Sequence, residues 1–225
     1  MKIMVINPVS TDVWDQKDRE YLEEMAFKDT ELEVVSLPAG PESIETYYDE
    51  AIASPEILKI VEKAEGYSAI IINCFADPGL YACREKSRTL ILGAGETAMT
   101  TATLLGNKFA VLSIMNNARG QFETAARRMG LSDRLAYVAG IDTPVLEIEN
   151  SPETEKQLLE EAETALRIGA EVIVLGCTGL FGFADILRKN LSCTVVEPAA
   201  VTFKIAEALG SIGLAQSKTG MYMDL

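Results

Sequence analysis

Two apolar runs of this chain end in the same way. Residues 69–74 read Ala-Ile-Ile-Ile-Asn-Cys, and residues 171–177 read Glu-Val-Ile-Val-Leu-Gly-Cys. Short β-branched runs bounded by turn residues are typical of strands that are buried in a parallel sheet. Each run ends in a cysteine, and each is followed within six residues by a Gly-Leu pair. The two cysteines, Cys74 and Cys177, are 103 positions apart (177 − 74).

Similar offsets relate the other strand-like runs of the two halves. Between the runs lie amphipathic stretches of helical period, and this alternation predicts an α/β fold with parallel sheets. The chain therefore reads as two copies of one α/β unit, with a boundary near residues 97–107 and a cysteine at the same strand end in each copy. The paired runs are 2–6 with 108–112, 31–35 with 134–138, and 89–92 with 194–196.

The helices before the two cysteine strands are predicted to begin at the same tripeptide, Ser-Pro-Glu. Ser54 and Ser151 would be the N-caps, with proline at the first helical position. Gly66 and Gly169 would end these helices. Residues 38–53 would then form a long loop, either an ordered lid or a surface loop with scattered aromatic residues.

Composition narrows the class of protein. With 225 residues, 48% of them hydrophobic, the chain can bury an ordinary core. The formal charge of −14 argues against nucleic acid as a partner and leaves a small molecule as the expected ligand. The first apolar run is too short for a signal peptide and no run approaches membrane-spanning length, so we expect a cytoplasmic protein without membrane contact.

The chain has four cysteines, without C-x-x-C spacing, and no histidine. This pattern favours free thiols and indicates neither a common zinc site nor a disulfide framework. The missing histidine also removes the usual Cys-His and Ser-His catalytic pairs. Any proton transfer would fall to Cys, Asp, Glu, Lys or Tyr.

Functional groups of parallel α/β sheets gather at the carboxyl ends of strands, where loops lead into helices. Cys74 and Cys177 are predicted at such ends, where the N–H groups of a following helix start can stabilise a thiolate. A single buried cysteine is usually a small hydrophobic residue, but two at matched positions of a duplicated chain favour function. Cys83 and Cys193 lack this context and are assigned to packing.

Residues 93–98, Gly-Ala-Gly-Glu-Thr-Ala, match the dinucleotide-binding pattern G-x-G-x-x-A. The match follows the fourth predicted strand instead of opening the fold, and Glu96 would place a carboxylate where a pyrophosphate belongs. We interpret it as a tight turn between a strand and a helix.

Six motifs carry a family resemblance: residues 6–8, 40–45, 74–80, 93–96, 175–180 and 217–222. Taken together, they resemble the hydantoin racemases, including the allantoin racemases, of the aspartate/glutamate racemase superfamily. The resemblance runs from the first strand to the C-terminus. It implies two pseudo-symmetric Rossmann-like domains, residues 1–97 with 206–225 and residues 98–205, with an active site in the cleft between them. It also implies a homo-oligomer that works without a cofactor or metal.

By the same resemblance, Cys74 and Cys177 are the two catalytic bases. One removes a proton from a carbon next to a carbonyl, and the other protonates the opposite face, which would leave the sulfurs on the order of 7 Å apart. Backbone amides beside the cysteines would hold the substrate's oxygens. The implied substrate contacts are Asn7, Ser43, Ile44, Phe75, Ser113, Thr178 and Gly179.

The implied activity is interconversion of the enantiomers of a hydantoin-type cyclic ureide, such as a 5-substituted hydantoin or allantoin. Two other enzymes stay open at this point: an aspartate/glutamate-type amino-acid racemase, and a maleate-isomerase-like enzyme that uses one cysteine as a nucleophile. A non-catalytic ligand-binding module is a further alternative. Intact cysteines at both positions count against that module.

Overall fold

The computed structural model describes residues 1–148 and 152–223. The chain divides into two compact units, Met1–Ala94 with Thr202–Leu225 (unit 1) and Gly95–Val201 (unit 2). The unit boundaries at 94 and 201 lie three and four residues before those expected from the sequence (97 − 94 and 205 − 201). Within the described ranges, no helix combines the length and the apolar character that crossing a membrane requires.

Each unit contains one four-stranded parallel sheet. In unit 1 the strand order is β2-β1-β3-β4, and in unit 2 it is β6-β5-β7-β8. The two orders are identical once each strand is replaced by its predicted repeat partner, so the predicted duplicated α/β fold is confirmed. The strands are β1 (Lys2–Asn7), β2 (Glu31–Ser36), β3 (Ala69–Ile72), β4 (Leu90–Gly93), β5 (Phe109–Ser113), β6 (Leu135–Gly140), β7 (Val172–Leu175) and β8 (Thr194–Val196).

Helices follow the strands throughout the described residues, as expected for parallel β-α units. Two single 3-10 turns, Val145–Glu147 and Thr178–Leu180, occur in unit 2. The α-helices are α1 (Asp15–Glu23), α2 (Tyr47–Lys63), α3 (Leu80–Lys86), α4 (Ala94–Leu105), α5 (Ala118–Arg128), α6 (Pro152–Ile168), α7 (Phe183–Asn190) and α8 (Pro198–Ser211).

The strands that precede the cysteines are buried along their whole length. All four residues of β3 and all four of β7 are buried, because helices cover both faces of a parallel sheet. In unit 1, Ile70 and Ile72 pack with Ile57 of α2. In unit 2, Ile173 and Leu175 belong to the core that also contains Leu158 of α6.

The end of α8 belongs to unit 1 and holds the turn between α1 and β2. The Glu207 carboxylate is fully buried and accepts hydrogen bonds from the Phe27 N–H (2.8 Å) and the Thr30 hydroxyl (2.6 Å). Lys204 pairs with the same carboxylate. Burial by itself would raise the pKa of Glu207, but hydrogen bonds from Lys204, Thr30 and Phe27 outweigh it and hold this pKa below its ordinary value.

The predicted start of α2 is wrong. The helix begins at Tyr47, and its N-cap is Thr46, whose hydroxyl accepts the Asp49 N–H while the Asp49 carboxylate accepts the Thr46 N–H. This reciprocal capping box satisfies two backbone donors that a helix start otherwise leaves unpaired. Pro55 lies inside the helix, and the Ser54 hydroxyl donates to the Glu50 carbonyl one turn back (2.6 Å).

The predicted loop over residues 38–53 is therefore shorter than expected, since residues 47–53 are helical. The connection between β2 and α2 is tied to the loop that follows β1: the Ser10 N–H donates to the Pro41 carbonyl (2.8 Å), and the Ser10 hydroxyl donates to the Gly40 carbonyl (3.0 Å). Ile44 packs against the core of unit 1. These contacts favour an ordered connection.

The helix α6 begins at Pro152 and ends before Gly169, both as predicted. Gly169 has a φ of +104°, a conformation that glycine adopts without strain. The predicted N-cap, Ser151, lies outside the described residues. In unit 1, α2 ends at Lys63, three residues before Gly66.

The capping box of α2 can be tested by stability. We expect Thr46→Ala to lower the free energy of unfolding by about 1 kcal/mol, because it leaves the Asp49 N–H without its acceptor. Ser54→Ala should cost less than about 0.5 kcal/mol, because a serine that bonds one turn back within a helix adds little stability. Urea unfolding of both variants compares them, and a larger loss for Ser54→Ala would contradict the observed start of α2.

Candidate active site

Each cysteine lies one residue beyond the last hydrogen bond that joins its strand to the neighbouring strand. In unit 1 this bond runs from the Asn73 N–H to the Ile6 carbonyl (2.9 Å), and in unit 2 from the Gly176 N–H to the Leu112 carbonyl (2.7 Å). The bonds are equivalent, because β1 and β5 are the repeat partners that follow from the strand orders. The predicted positions at matched strand ends are therefore correct.

An equivalent backbone hydrogen bond closes a turn after each cysteine. The Cys74 carbonyl accepts the Asp77 N–H (3.0 Å), and the Cys177 carbonyl accepts the Leu180 N–H (3.2 Å), three residues on in both cases. The next α-helix begins six residues after each cysteine, at Leu80 and at Phe183 (80 − 74 and 183 − 177). The two turns thus share this hydrogen bond and the spacing to the next helix. They differ in conformation, because Asp77 has a φ of +54° whereas residues 178–180 form a 3-10 turn.

A glycine with positive φ stands just before each of these helices. Gly79 has a φ of +69° and Gly182 a φ of +90°, in the region that favours glycine. The partner of Gly79 is therefore Gly182. The sequence comparison paired the dipeptide at residues 79–80 with the one at 179–180, and that pairing is wrong because Gly179 lies inside the turn.

The Cys177 sulfur receives a hydrogen bond from the backbone. The Gly179 N–H donates to Sγ at 3.3 Å, and Cys177 is the N-cap of the 3-10 turn Thr178–Leu180. An N–H aimed at sulfur stabilises the thiolate, which is the form that accepts a proton. In this structure the Gly179 N–H donates its hydrogen bond to the Cys177 sulfur. The resemblance implied that it binds a substrate oxygen.

The four cysteines fall into two classes. Cys74, Cys177 and Cys193 are partly exposed, whereas Cys83 is fully buried in the core of unit 1. Burial raises the pKa of the Cys83 thiol to about 12, with a smaller contribution from Glu62. Burial also raises the pKa of Cys193, which packs against the core of unit 2 as Cys177 does. The packing role expected for Cys83 and Cys193 agrees with these surroundings.

A buried polar network underlies the Cys74 turn. The Asn7 side chain is 4% exposed and donates to Asp15 (2.8 Å) and Asp18 (2.9 Å). Asn73, the residue before Cys74, donates to Asn7 Oδ1 (2.8 Å), and its side chain also contacts Asp18 (3.3 Å). Both amide hydrogens of Asn7 are thus used within unit 1. Asn7 therefore orients the strand end that carries Cys74.

Ser113 occupies the position in unit 2 that Asn7 has in unit 1. Asn7 follows Ile6 and Ser113 follows Leu112, the two residues whose carbonyls hold the cysteine strands. Ser113 is 1% exposed. The sequence identified both positions but not the network around Asn7, because Asn7 and Asn73 are 66 residues apart along the chain.

The other predicted contacts lie in the connections between elements. Ser43 and Ile44 are in the connection before α2, where the Ser43 hydroxyl contacts the Glu45 carboxylate (3.4 Å) and Ile44 packs on the core. Phe75, next to Cys74, is 3% exposed, so its side chain is part of the packing. Thr178 opens the 3-10 turn after Cys177 and is partly exposed.

Two carboxylates near these strand ends are not among the site residues predicted from the sequence. A side chain at Gly93 would place its Cβ 2.3 Å from Asp77 Oδ1, so the missing side chain makes room for the Asp77 carboxylate. Glu197, which directly follows β8, is 3% exposed and accepts the Ala199 and Ala200 N–H groups at the start of α8. In the part of the chain that the structure describes, no three Cys, Asp or Glu side chains are grouped so that they could hold a metal ion.

The comparison with known families decides the class of the protein. Residues 3–206 match the model of the Asp/Glu/hydantoin racemase family. The chain belongs to this family. It is thereby placed among the racemases, which are isomerases. The family resemblance expected from the sequence is confirmed.

Individual relatives agree with the family match. A hydantoin racemase from Pseudomonas sp. (strain NS671) is 33% identical, over 99% of this chain and 91% of that protein. Among solved structures, an allantoin racemase from Klebsiella pneumoniae has a TM-score of 0.93 at 30% identity, with 100% of this chain and 94% of the other covered. The allantoin racemase of Pseudomonas fluorescens has a TM-score of 0.95 at 27% identity, with 100% and 97% covered.

The two classes of cysteine predict a pattern of alkylation. At neutral pH we expect iodoacetamide to modify Cys74 and Cys177 well before Cys83, because Cys83 is shielded and its pKa of about 12 leaves almost no thiolate. Peptide mass spectrometry of the folded protein measures each site, and the protein unfolded in urea gives the reference rates. Modification of Cys83 as fast as Cys74 in the folded protein would contradict this assignment.

The contact between Gly93 and Asp77 predicts an effect on stability. Gly93→Ala should lower the free energy of unfolding by about 1–3 kcal/mol, because its methyl group must displace the Asp77 carboxylate and Leu80. Gly120→Ala is the matched control, since no atom lies within 4 Å of its Cβ and alanine favours the helix. Equal stability of the two variants would show that Asp77 does not occupy the space beside Gly93.

Proposed function

We propose that this protein is a cofactor-independent racemase of hydantoin-type cyclic ureides, such as 5-substituted hydantoins or allantoin, and that Cys74 and Cys177 are its two bases. The observation that carries the proposal is the pair of matched cysteine turns, one on the equivalent strand end of each unit. The substrate class is supported by the relatives, which are named hydantoin racemase and allantoin racemase.

Racemisation at a carbon next to a carbonyl requires a base on each face of a planar intermediate. In the proposed reaction, one thiolate takes the proton from the substrate carbon and becomes a thiol, and the electron pair of the broken C–H bond moves into the enolate. The other cysteine starts as a thiol, gives its proton to the opposite face and becomes a thiolate. The reverse reaction exchanges the two roles, and no oxidant or reductant is consumed.

A duplicated fold suits this chemistry. Each unit brings a cysteine on a strand end, and an equivalent backbone hydrogen bond to the carbonyl of each cysteine fixes the turn that follows it. The Gly179 N–H lowers the cost of forming the Cys177 thiolate. Asn7, at the end of β1, accepts a hydrogen bond from Asn73 and so positions the residue next to Cys74. Ser113 stands at the equivalent end of β5.

The substrate itself is proposed to bind through groups near both cysteines. A hydantoin has two carbonyl oxygens on which negative charge grows as the proton leaves, and backbone N–H groups near those oxygens would stabilise the enolate. We assign this role to the amides of Phe75 and Thr178, and assign further contacts to Ser43 and Ile44. We also propose that the enzyme is a cytoplasmic homo-oligomer.

Single substitutions of the two cysteines test the mechanism. Cys74→Ser and Cys177→Ser should each abolish interconversion of the enantiomers, because each removes the base for one face. Each variant should still exchange the substrate proton for solvent deuterium, from one enantiomer only and with opposite preference, since the remaining thiolate reaches its own face. Nuclear magnetic resonance of each pure enantiomer in deuterium oxide measures the exchange, and chiral chromatography measures interconversion.

Cys193→Ser is the matched control for these variants. It removes a partly exposed thiol that packs against the core of unit 2, and racemisation should persist. If either Cys74→Ser or Cys177→Ser racemised the substrate near the wild-type rate, the two-base mechanism would be wrong. An enzyme that uses the other cysteine alone would then be the better assignment.

A further inference from the structure

The last part of the described chain has no regular secondary structure but makes specific contacts with unit 1. After α8 ends at Ser211, residues 216–222 run along β4 and α3; we name them the tail segment. β4 is an edge strand of its sheet, and α3 directly follows the Cys74 turn. The tail segment therefore contacts the two elements that flank this turn.

Gln216 pairs with the open edge of β4. Its side-chain carbonyl accepts the Ile91 N–H (2.8 Å), and its side-chain N–H donates to the Ile91 carbonyl (2.8 Å). One amide side chain thus replaces the backbone of a missing neighbour strand at this residue. Paired in this way, the edge of β4 is held in place and is protected from solvent.

The Tyr222 ring contacts two side chains of α3. Its ring stacks on that of Tyr81, with centroids 6.5 Å apart and planes at 13°. The Arg84 guanidinium lies 5.8 Å from the Tyr222 ring and 5.9 Å from the Tyr81 ring, and its Nε donates to the Ile91 carbonyl (3.1 Å). Arg84 is only 5% exposed. Stacking and cation–π contacts therefore join the tail segment, α3 and β4.

Lys218 binds the C-terminal end of α3. Its ammonium donates to the Arg84 carbonyl (2.8 Å) and the Glu85 carbonyl (3.0 Å). The last carbonyls of a helix lack partners within the helix and carry the negative end of its dipole, so a lysine there is stabilising. The tail segment thus contacts α3 at its first turn through Tyr222 and at its last turn through Lys218.

The elements held by the tail segment also hold the Cys74 turn. The Leu80 N–H at the start of α3 donates to the Asp77 carbonyl (3.2 Å), and the Asp77 N–H donates to the Cys74 carbonyl (3.0 Å). The Asp77 carboxylate rests on Gly93 at the end of β4. Movement of α3 or β4 would therefore be transmitted to Cys74 through Asp77.

Unit 2 offers an internal comparison. Arg188 of α7 donates to the Val195 carbonyl of β8 (2.7 Å), as Arg84 of α3 donates to Ile91 of β4. The Arg188 side chain is 47% exposed and forms a surface ion pair with Asp185. The aromatic cover that Tyr222 gives Arg84 is thus a feature of unit 1.

We propose that the tail segment positions the Cys74 turn, with Tyr222 and Gln216 as positioning residues. An effect of the tail segment on catalysis rests on the proposed two-base racemase function. Its effect on the position of the Cys74 turn does not depend on that function. The proposal makes the Cys74 side of the reaction depend on the C-terminal residues, whereas the Cys177 side is independent of them.

The first test needs no substrate. In Tyr222→Ala, the alkylation rate of Cys74 by iodoacetamide should change by about fivefold, while that of Cys177 stays at the wild-type value, because the stacked and cation–π contacts of one ring are lost. Tyr222→Phe should restore the wild-type rate, since it keeps the ring and loses only a 3.5 Å contact to Arg84. Met221→Ala, at a residue that is 69% exposed, is the neighbouring control and should match the wild type.

The second test uses enantiomer-resolved deuterium exchange. Tyr222→Ala combined with Cys177→Ser should slow the exchange that depends on Cys74, relative to Cys177→Ser alone. Tyr222→Ala combined with Cys74→Ser should keep the exchange that depends on Cys177 at the rate of Cys74→Ser alone. If no variant exchanges either enantiomer, the proposed function fails, and the alkylation rates still decide the role of the tail segment.

Equal rate changes at Cys74 and Cys177, or a change at neither, would overturn the proposal. Tyr222→Phe behaving like Tyr222→Ala would also overturn it, because the ring would then not be the group that acts. If Tyr222→Ala fails to fold, as judged by its thermal unfolding, Gln216→Ala takes its place, with the same selective change at Cys74 expected.

Discussion

The structure depends on the last backbone hydrogen bond of each cysteine strand. A strand that is buried on both faces must keep its N–H and C=O groups paired, so its backbone cannot turn until the ladder ends. In both units the ladder ends at the residue before the cysteine, where Asn73 and Gly176 donate to the neighbouring strand. The cysteine is thus the first residue free to turn, at the edge where parallel sheets collect their functional groups.

Beyond that shared geometry, the two units support their cysteines differently. Unit 2 does so locally, through the hydrogen bond from the Gly179 N–H to the Cys177 Sγ and through the 3-10 turn that begins at the next residue, Thr178. Unit 1 uses contacts that are distant in sequence: Asn7 with Asp18 beneath the strand end, and residues 216–222 beside it. In the proposed two-base reaction the two cysteines act on opposite faces of one substrate. The reaction does not require that the two cysteines have the same support from the protein.

Sequence predicted what depends on local pattern and missed what depends on distant contacts. The strands, their duplication and both cysteine positions follow from the short apolar runs and from the nearly constant sequence offset between the two halves. The start of α2 was misread because Ser54 and Pro55 look like a helix start, whereas the reciprocal pair Thr46 and Asp49 forms the cap. The support around Arg84 joins residues 138 positions apart, and no spacing rule reports such a contact.

The most direct test of the two-base account is the fate of deuterium in the first turnovers of the unmodified enzyme. One pure enantiomer of a hydantoin is incubated in deuterium oxide. After a small fraction has been converted, the two enantiomers are separated, and the deuterium content of each is measured by mass spectrometry. Because each thiol carries one proton and serves one face, the account predicts deuterium in the product and almost none in the recovered substrate. Equal deuterium in both enantiomers, or a product that retains the substrate's proton, would show a single base and contradict the account.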